Sequence, residues 1–170
     1  MPCAWAPVQI AGHIAVCRAF AAVYIRNHSA ELHDGRNGMS FTGIDAVVYG
    51  VANMDKCRAY FSDWGLKKIS AGKTRTVFAT RDGSEIVLRP RGAKDRPKAI
   101  QAGSTVREIV WGVTSKADLK RVEKELSKDR TVTVDKDGTV HATDDFGLGI
   151  AFRRTRRTKL KDTRRPMNSA

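Results

Sequence analysis

The stretch Gly43-Ile-Asp-Ala-Val-Val-Tyr-Gly-Val51 is echoed by Thr105-Val-Arg-Glu-Ile-Val-Trp-Gly-Val113, with the two Gly-Val pairs 62 residues apart. Both runs are rich in the β-branched and aromatic residues that suit a pleated, half-buried strand. Each leads into a segment with helical spacing. A unit that opens this way and then recurs constrains the fold more than any single reactive-looking side chain, because each copy must bury its apolar face against the other.

In the first unit, Ile44 to Val51 reads as a strand and Asn53 to Asp63 as a helix with Met54, Cys57, Tyr60 and Phe61 on one face. Gly65 suits a helix C-terminus. Leu66 to Ser70, Arg75 to Thr80 and Glu85 to Leu88 follow as strands, with turns at Gly72 and at Arg81-Asp-Gly83. A connector from Arg89 to Gly103 carries Pro90, Gly92, Pro97 and Gly103. The order then repeats: strand Val106 to Val113, helix Ser115 to Ser127 with Ser115 as N-cap, and strands Thr131 to Val134, Thr139 to Thr143 and Leu148 to Phe152. The unit ends also align, Gly83 over Gly147, Val87 over Ala151 and Arg89 over Arg153. The predicted fold is α+β: two βαβββ modules, 43–90 and 105–153, forming one U-shaped, mostly antiparallel eight-stranded sheet with helices outside. Tyr49, Trp64 and Trp111 are expected in the core.

The flanks differ from this domain, which spans 39–153. Residues 1–38 read as a leader or an over-long start, poorly ordered or one short helix, with Met39 the natural beginning. Residues 154–170 read as a basic tail or linker. The net charge of +13 invites a nucleic-acid interpretation, but +7 of it lies from Arg153 onward, while 39–152 carries a mixed +5. A charge run of this kind reads first as a solvated linker, so a nucleic-acid partner is not expected. No apolar run approaches the roughly 18 residues of a membrane span, because His13 and Arg18 interrupt the most apolar stretch. Cys3, Cys17 and Cys57 match no metal or redox spacing, which suits a reduced, cytoplasmic protein. Ala71-Gly-Lys-Thr74 lacks the upstream glycine of a phosphate-binding loop.

Gly43–Leu66 and Arg107–Leu126, with Asp144-Asp-Phe-Gly147 before the last strand, resemble the paired modules of the vicinal oxygen chelate superfamily. That group includes glyoxalase I, bleomycin-resistance proteins and type I extradiol dioxygenases. The resemblance is to the N-terminal, non-catalytic module pair of a two-domain extradiol dioxygenase-like protein, and the basic tail resembles its connector to a second pair. It implies a cavity in which Fe(II) or another divalent metal is held by two His and a Glu. Carried over, the ligand positions fall on Ala46, Glu108, Val87 and Ala151. Three are aliphatic, so no metal, no catalytic residue and no cofactor are expected in this chain. His141, the only histidine within the repeats, is expected to be a hydrogen-bonded or surface residue rather than a ligand.

Strand alternation assigns Ala46, Val48, Glu85, Val87, Arg89, Glu108, Val110, Ala151 and Arg153 to the cavity, with Gly149 between. Its charged members, Glu85, Arg89, Glu108 and Arg153, are expected to form ion pairs that fill it. The first functional expectation is therefore a non-catalytic half of a ring-cleaving dioxygenase-like protein. The alternative is a metal-free, resistance-type protein binding a small aromatic ligand, and a third is nucleic-acid binding through the tail. A second module pair or a homodimer would be the protein partner.

Overall fold

Asn53 and Ser115 each stop a strand and start a helix. The computed structural model describes residues 39–160 except position 96; the expectations for 1–38 and 161–170 lie outside the described residues. Strand β1 (Phe41–Val51) leads into helix α1 (Met54–Asp63), and β5 (Thr105–Val113) into α2 (Lys116–Leu126). The Asn53 side chain accepts from the Lys56 amide at 2.9 Å. Ser115 and Asp118 exchange side-chain-to-backbone bonds in a capping box. Such caps stabilise a helix by about 1 kcal/mol each. At the end of α1, Gly65 adopts φ +77°. There the Leu66 amide reaches back to Phe61 and the Gly65 amide to Ser62, a left-handed termination that a β-carbon would strain.

The remaining strands are β2 (Lys67–Ala71), β3 (Thr76–Ala79), β4 (Glu85–Pro90), β6 (Thr133–Val134), β7 (Val140–Thr143) and β8 (Gly149–Arg154). They form one open sheet in the order β2-β3-β4-β1-β5-β8-β7-β6. β1 is parallel to β4, β5 is parallel to β8, and the other pairings are antiparallel. The register reproduces the repeat: Ala46, Val48 and Gly50 face Glu85, Val87 and Arg89, as Glu108, Val110 and Gly112 face Gly149, Ala151 and Arg153.

Side-chain alternation sorts the apolar residues onto two faces. Under α1 pack Val51, Phe61, Phe78 and Leu88, with Tyr49 and Cys57 beside them. Under α2 pack Val113, Leu119, Val122, Val140, Ile150 and Phe152, with Trp111 against them. The opposite face carries a third cluster, Ala46, Val48, Val77, Val87, Val110 and Ala151. Trp64 departs from expectation. It is 64% exposed, because it is the C-cap of α1 and meets only the rings of its helix neighbours Tyr60, at 5.0 Å, and Phe61, at 5.9 Å, among the described aromatic contacts.

The central β1–β5 seam contains an irregularity that simple alternation misses. Ile44 pairs with Trp111 and Ala46 with Val110, so Asp45 is an extra residue on β1; Val48 pairs with Glu108 and Tyr49 with Val106, so Arg107 is an extra residue on β5. The two bulges are equivalent under the repeat. A bulge re-aims its side chain, and each here clamps the segment leaving the other module. Asp45, wholly buried, accepts from Thr155 Oγ1 at 2.8 Å, the Arg156 amide at 3.0 Å and Arg153 Nε at 3.2 Å. Arg107 donates to the Arg91 carbonyl at 2.6 Å and the Pro97 carbonyl at 2.5 Å. The exits themselves match: the Arg91 amide bonds the Val51 carbonyl and the Thr155 amide bonds the Val113 carbonyl, both at 2.9 Å.

Each bulge needs a glycine opposite. A β-carbon on Gly112 would collide with the Asp45 carboxylate and the Thr42 hydroxyl, and one on Gly50 would lie 2.9 Å from Arg107 Cγ. Gly112→Ala should therefore lower stability by about 1–3 kcal/mol through overpacking. Gly92→Ala, with nothing within 4 Å, should leave it within about 0.5 kcal/mol. Urea unfolding of both variants checks this; equal effects would remove the bulge explanation.

Candidate functional site

The concave face encloses a cavity of about 100 Å³. Its floor comes from the middle of β1, β4 and β5, where the sheet curves and alternation turns every second side chain inward. Ala46, Val48, Glu85, Val87, Arg89, Glu108, Val110 and Arg153 line it. Ala151, the ninth residue assigned there from sequence, is fully buried beneath the surface in the apolar cluster. Six further residues complete the lining: Arg75, Asp135, Asp137, Thr139, His141 and Arg156. Four of these sit on or beside the β6–β7 hairpin, whose proximity strand alternation alone does not reveal.

The polar groups pair mostly with partners outside the four charged residues expected to neutralise one another. Arg153 does meet Glu85, at 3.0 Å, but also Asp45 at 3.2 Å. Arg89 pairs with Asp95 of the connector, while its Nε is buried with no hydrogen-bond partner among the described residues. Glu108, 1% exposed, lies 2.7 Å from His141 Nδ1, and His141 Nε2 lies 3.0 Å from Asp135. His141 is thus a hydrogen-bonded residue crossing the small Ala151, its register partner on β8. Arg156 meets Asp137 at 3.2 Å. Burial opposes ionisation of Asp137, but bonds from the Thr139 hydroxyl and amide, with Arg156, bring its carboxyl below the ordinary range.

Past β8 the chain continues as a strap. Arg157 Nε donates to Asp82 at 2.9 Å, the Thr158 amide donates to the Asp82 carbonyl at 2.8 Å, and Arg157 Nη1 donates to the Thr42 carbonyl at 3.0 Å. Arg156 and Arg157, two of the basic residues read as tail, therefore answer carboxylates of the fold, as Arg153 at the end of the domain does. Their charge is not available to a polyanion without breaking those pairs.

The fold's implied metal can be tested against these side chains. Ala46, Val87 and Ala151 offer no donor atom, and Glu108 is engaged by His141. A divalent transition metal takes several imidazole or carboxylate donors converging on one point. Among the described residues no group of three or more His, Cys, Asp or Glu side chains is placed to hold a metal ion. The residues present do not fit the group.

No protein-family model matches the chain, and no curated protein matches it. Solved structures do. An extradiol ring-cleaving dioxygenase from B. fuscum aligns with TM-score 0.58 and 13% identity, over 71% of this chain and 35% of that one. Homoprotocatechuate 2,3-dioxygenase from Arthrobacter globiformis aligns with TM-score 0.57 and 16% identity, over 71% of this chain and 38% of that one. The chain thus spans little more than a third of the length of these dioxygenases. It shares the fold of extradiol dioxygenases. Among the described residues no helix is long and apolar enough to cross a membrane.

The strap carries a pH signature. Hydrogen bonds from the Ser84 and Thr80 hydroxyls and the Ser84 amide, then the charge of Arg157, hold the Asp82 carboxyl well below the usual carboxylate range. A depressed carboxylate contributes stability that is present above its unfolded value, about 3.9, and is lost as pH falls toward the folded one. Asp82→Asn should therefore be less stable than wild type at pH 7, with the difference shrinking below about pH 4. Urea unfolding at several pH values measures it; a constant difference would rule out the ionised Asp82 as its source.

Proposed function

We propose that the paired modules form a non-catalytic half of an extradiol dioxygenase-like protein, a scaffold whose metal-ligand positions have been given over to packing. One observation carries this reading. At the positions that the resemblance assigns to ligands, Ala46, Val87 and Ala151 join Val48, Val77 and Val110 in a single apolar cluster. Well-packed aliphatic groups at these three positions are stable chemistry, since they bring no polar atom that would need a partner. It is also incompatible with holding Fe(II). The shared fold supports the superfamily-level part of the proposal. Ring cleavage would then belong to a second, metal-bearing module pair as partner.

The resistance-type alternative needs room for a ligand. A dry engineered cavity of about 150 Å³ takes benzene, and drug-sized sites run to roughly 300–1,000 Å³. The cavity here is about 100 Å³ and crossed by ion pairs, so a small aromatic ligand would enter only by displacing them. That favours the scaffold reading.

Purified protein incubated anaerobically with Fe(II), then given a catechol and oxygen, should form no yellow ring-fission product and should retain no stoichiometric iron after desalting. A clear absorbance rise with retained iron would overturn the proposal. A thermal-shift screen of small aromatic and cationic ligands should likewise give no stabilisation; a saturable hit abolished by Val87→Phe would transfer the case to the ligand-binding alternative.

A further inference from the structure

The connector between the modules concentrates positive charge. Residues 89–107 hold Arg89, Arg91, Lys94, Arg96, Lys98 and Arg107 against Asp95 alone, a net of +5. That equals the whole excess of 39–152, so the rest of the domain is electrically balanced. The connector's one carboxylate is already committed, since Asp95 pairs with Arg89 on β4. Folded, the connector borders a groove of about 680 Å³ that shares no lining residue with the concave cavity. Arg91, Lys94, Lys98 and Arg107 line it, with glycines and alanines between them, and among the described residues no carboxylate does.

Arg107 makes this more than a run of surface lysines. It is 5% exposed, and its guanidinium donates to the Arg91 and Pro97 carbonyls. The β5 bulge thus gathers the connector around a buried cation. A β-carbon on Gly92 or Gly103 would meet nothing within 4 Å, so the wall stands open at both. Cations gathered in a concave, water-poor setting focus their potential on an incoming anion. Guanidinium and ammonium groups give phosphate oxygens charge-assisted hydrogen bonds. The volume falls within the roughly 300–1,000 Å³ of small-molecule sites. We propose that the connector groove binds a small compound bearing two or more phosphates, with Lys94, Lys98 and Arg91 closing on it over Arg107. The compactness of the lining, all within 91–107, favours such a ligand over the extended backbone of a polynucleotide. The proposal goes beyond the scaffold reading and does not require it.

Calorimetric titration of the full chain with inorganic triphosphate decides it. At about 0.15 M salt, where distant surface charges are screened, the titration should show saturable binding at one site. The double variant Lys94→Gln/Lys98→Gln should bind about tenfold more weakly or worse. Both side chains are exposed, so its unfolding temperature should stay that of wild type. Lys67→Gln/Lys68→Gln removes the same charge from the exposed strand β2 and should change the affinity by less than about twofold. Absence of saturable binding would overturn the proposal. Equal losses in the two double variants would also overturn it, because net charge rather than the groove would then attract the anion. A single-stranded oligonucleotide that displaces triphosphate and binds more tightly as it lengthens would overturn the small-ligand assignment in favour of nucleic acid.

Discussion

The buried carboxylate of Asp45 closes the molecule on itself. It lies on the first strand yet takes three donors from Arg153, Thr155 and Arg156, about 110 residues later in the chain. A charge wholly removed from water is tolerable only when hydrogen bonds and an opposite charge replace its hydration, and breaking such an arrangement costs about 3–5 kcal/mol. Every donor to Asp45 is therefore obliged to stay, and the chain leaving β8 must run back along β1. Arg107 imposes the same obligation on the connector leaving β4, with reversed charge and carbonyl acceptors. The two modules are thus joined by more than the β1–β5 ladder, since each one's bulge holds the other's exit.

That closure determines what the concave face can be. Arg153 is shared between Asp45 and Glu85, so one of the cavity's cations is committed to holding the fold. Asp137 and Asp135 enter from the hairpin and are met by Arg156 and His141. The floor between these pairs is aliphatic. Charges paired largely within the fold and an apolar remaining wall are the physical content of the scaffold reading proposed above.

Much of this was legible in the chain because two periodicities coincide. Alternation along a strand and a fixed spacing between repeats together place Ala46 over Glu108 and Val87 over Ala151, and the ladder registers agree. The helix starts at Asn53 and Ser115 were legible because a cap is chemistry local to a few residues. Asp45 and Arg107 were not, since a bulge breaks the alternation used to read the strand, and matched bulges leave the repeat spacing intact. A signal did exist: alternation places two opposite charges at equivalent positions on the helix-facing side of a central strand. Such a conflict between pattern and burial marks either an error of register or a bulge. Trp64 was misread for a related reason, because apolar character was weighed without the geometry of the helix end on which it sits.

The cavity's internal pairing depends on a small residue on β8. His141 reaches Glu108 across β8, over the small Ala151, its register partner on that strand. A carboxylate at 151 would fill that space and place a second negative charge beside Glu108, favouring an external cation over the histidine. With alanine there, Glu108 is met from this side by His141. The alanine at 151 and the pairing of Glu108 with His141 are thus two aspects of one packing arrangement. Placing a donor at a single position would not assemble the several donors a transition metal takes, because Glu108 would still hold His141.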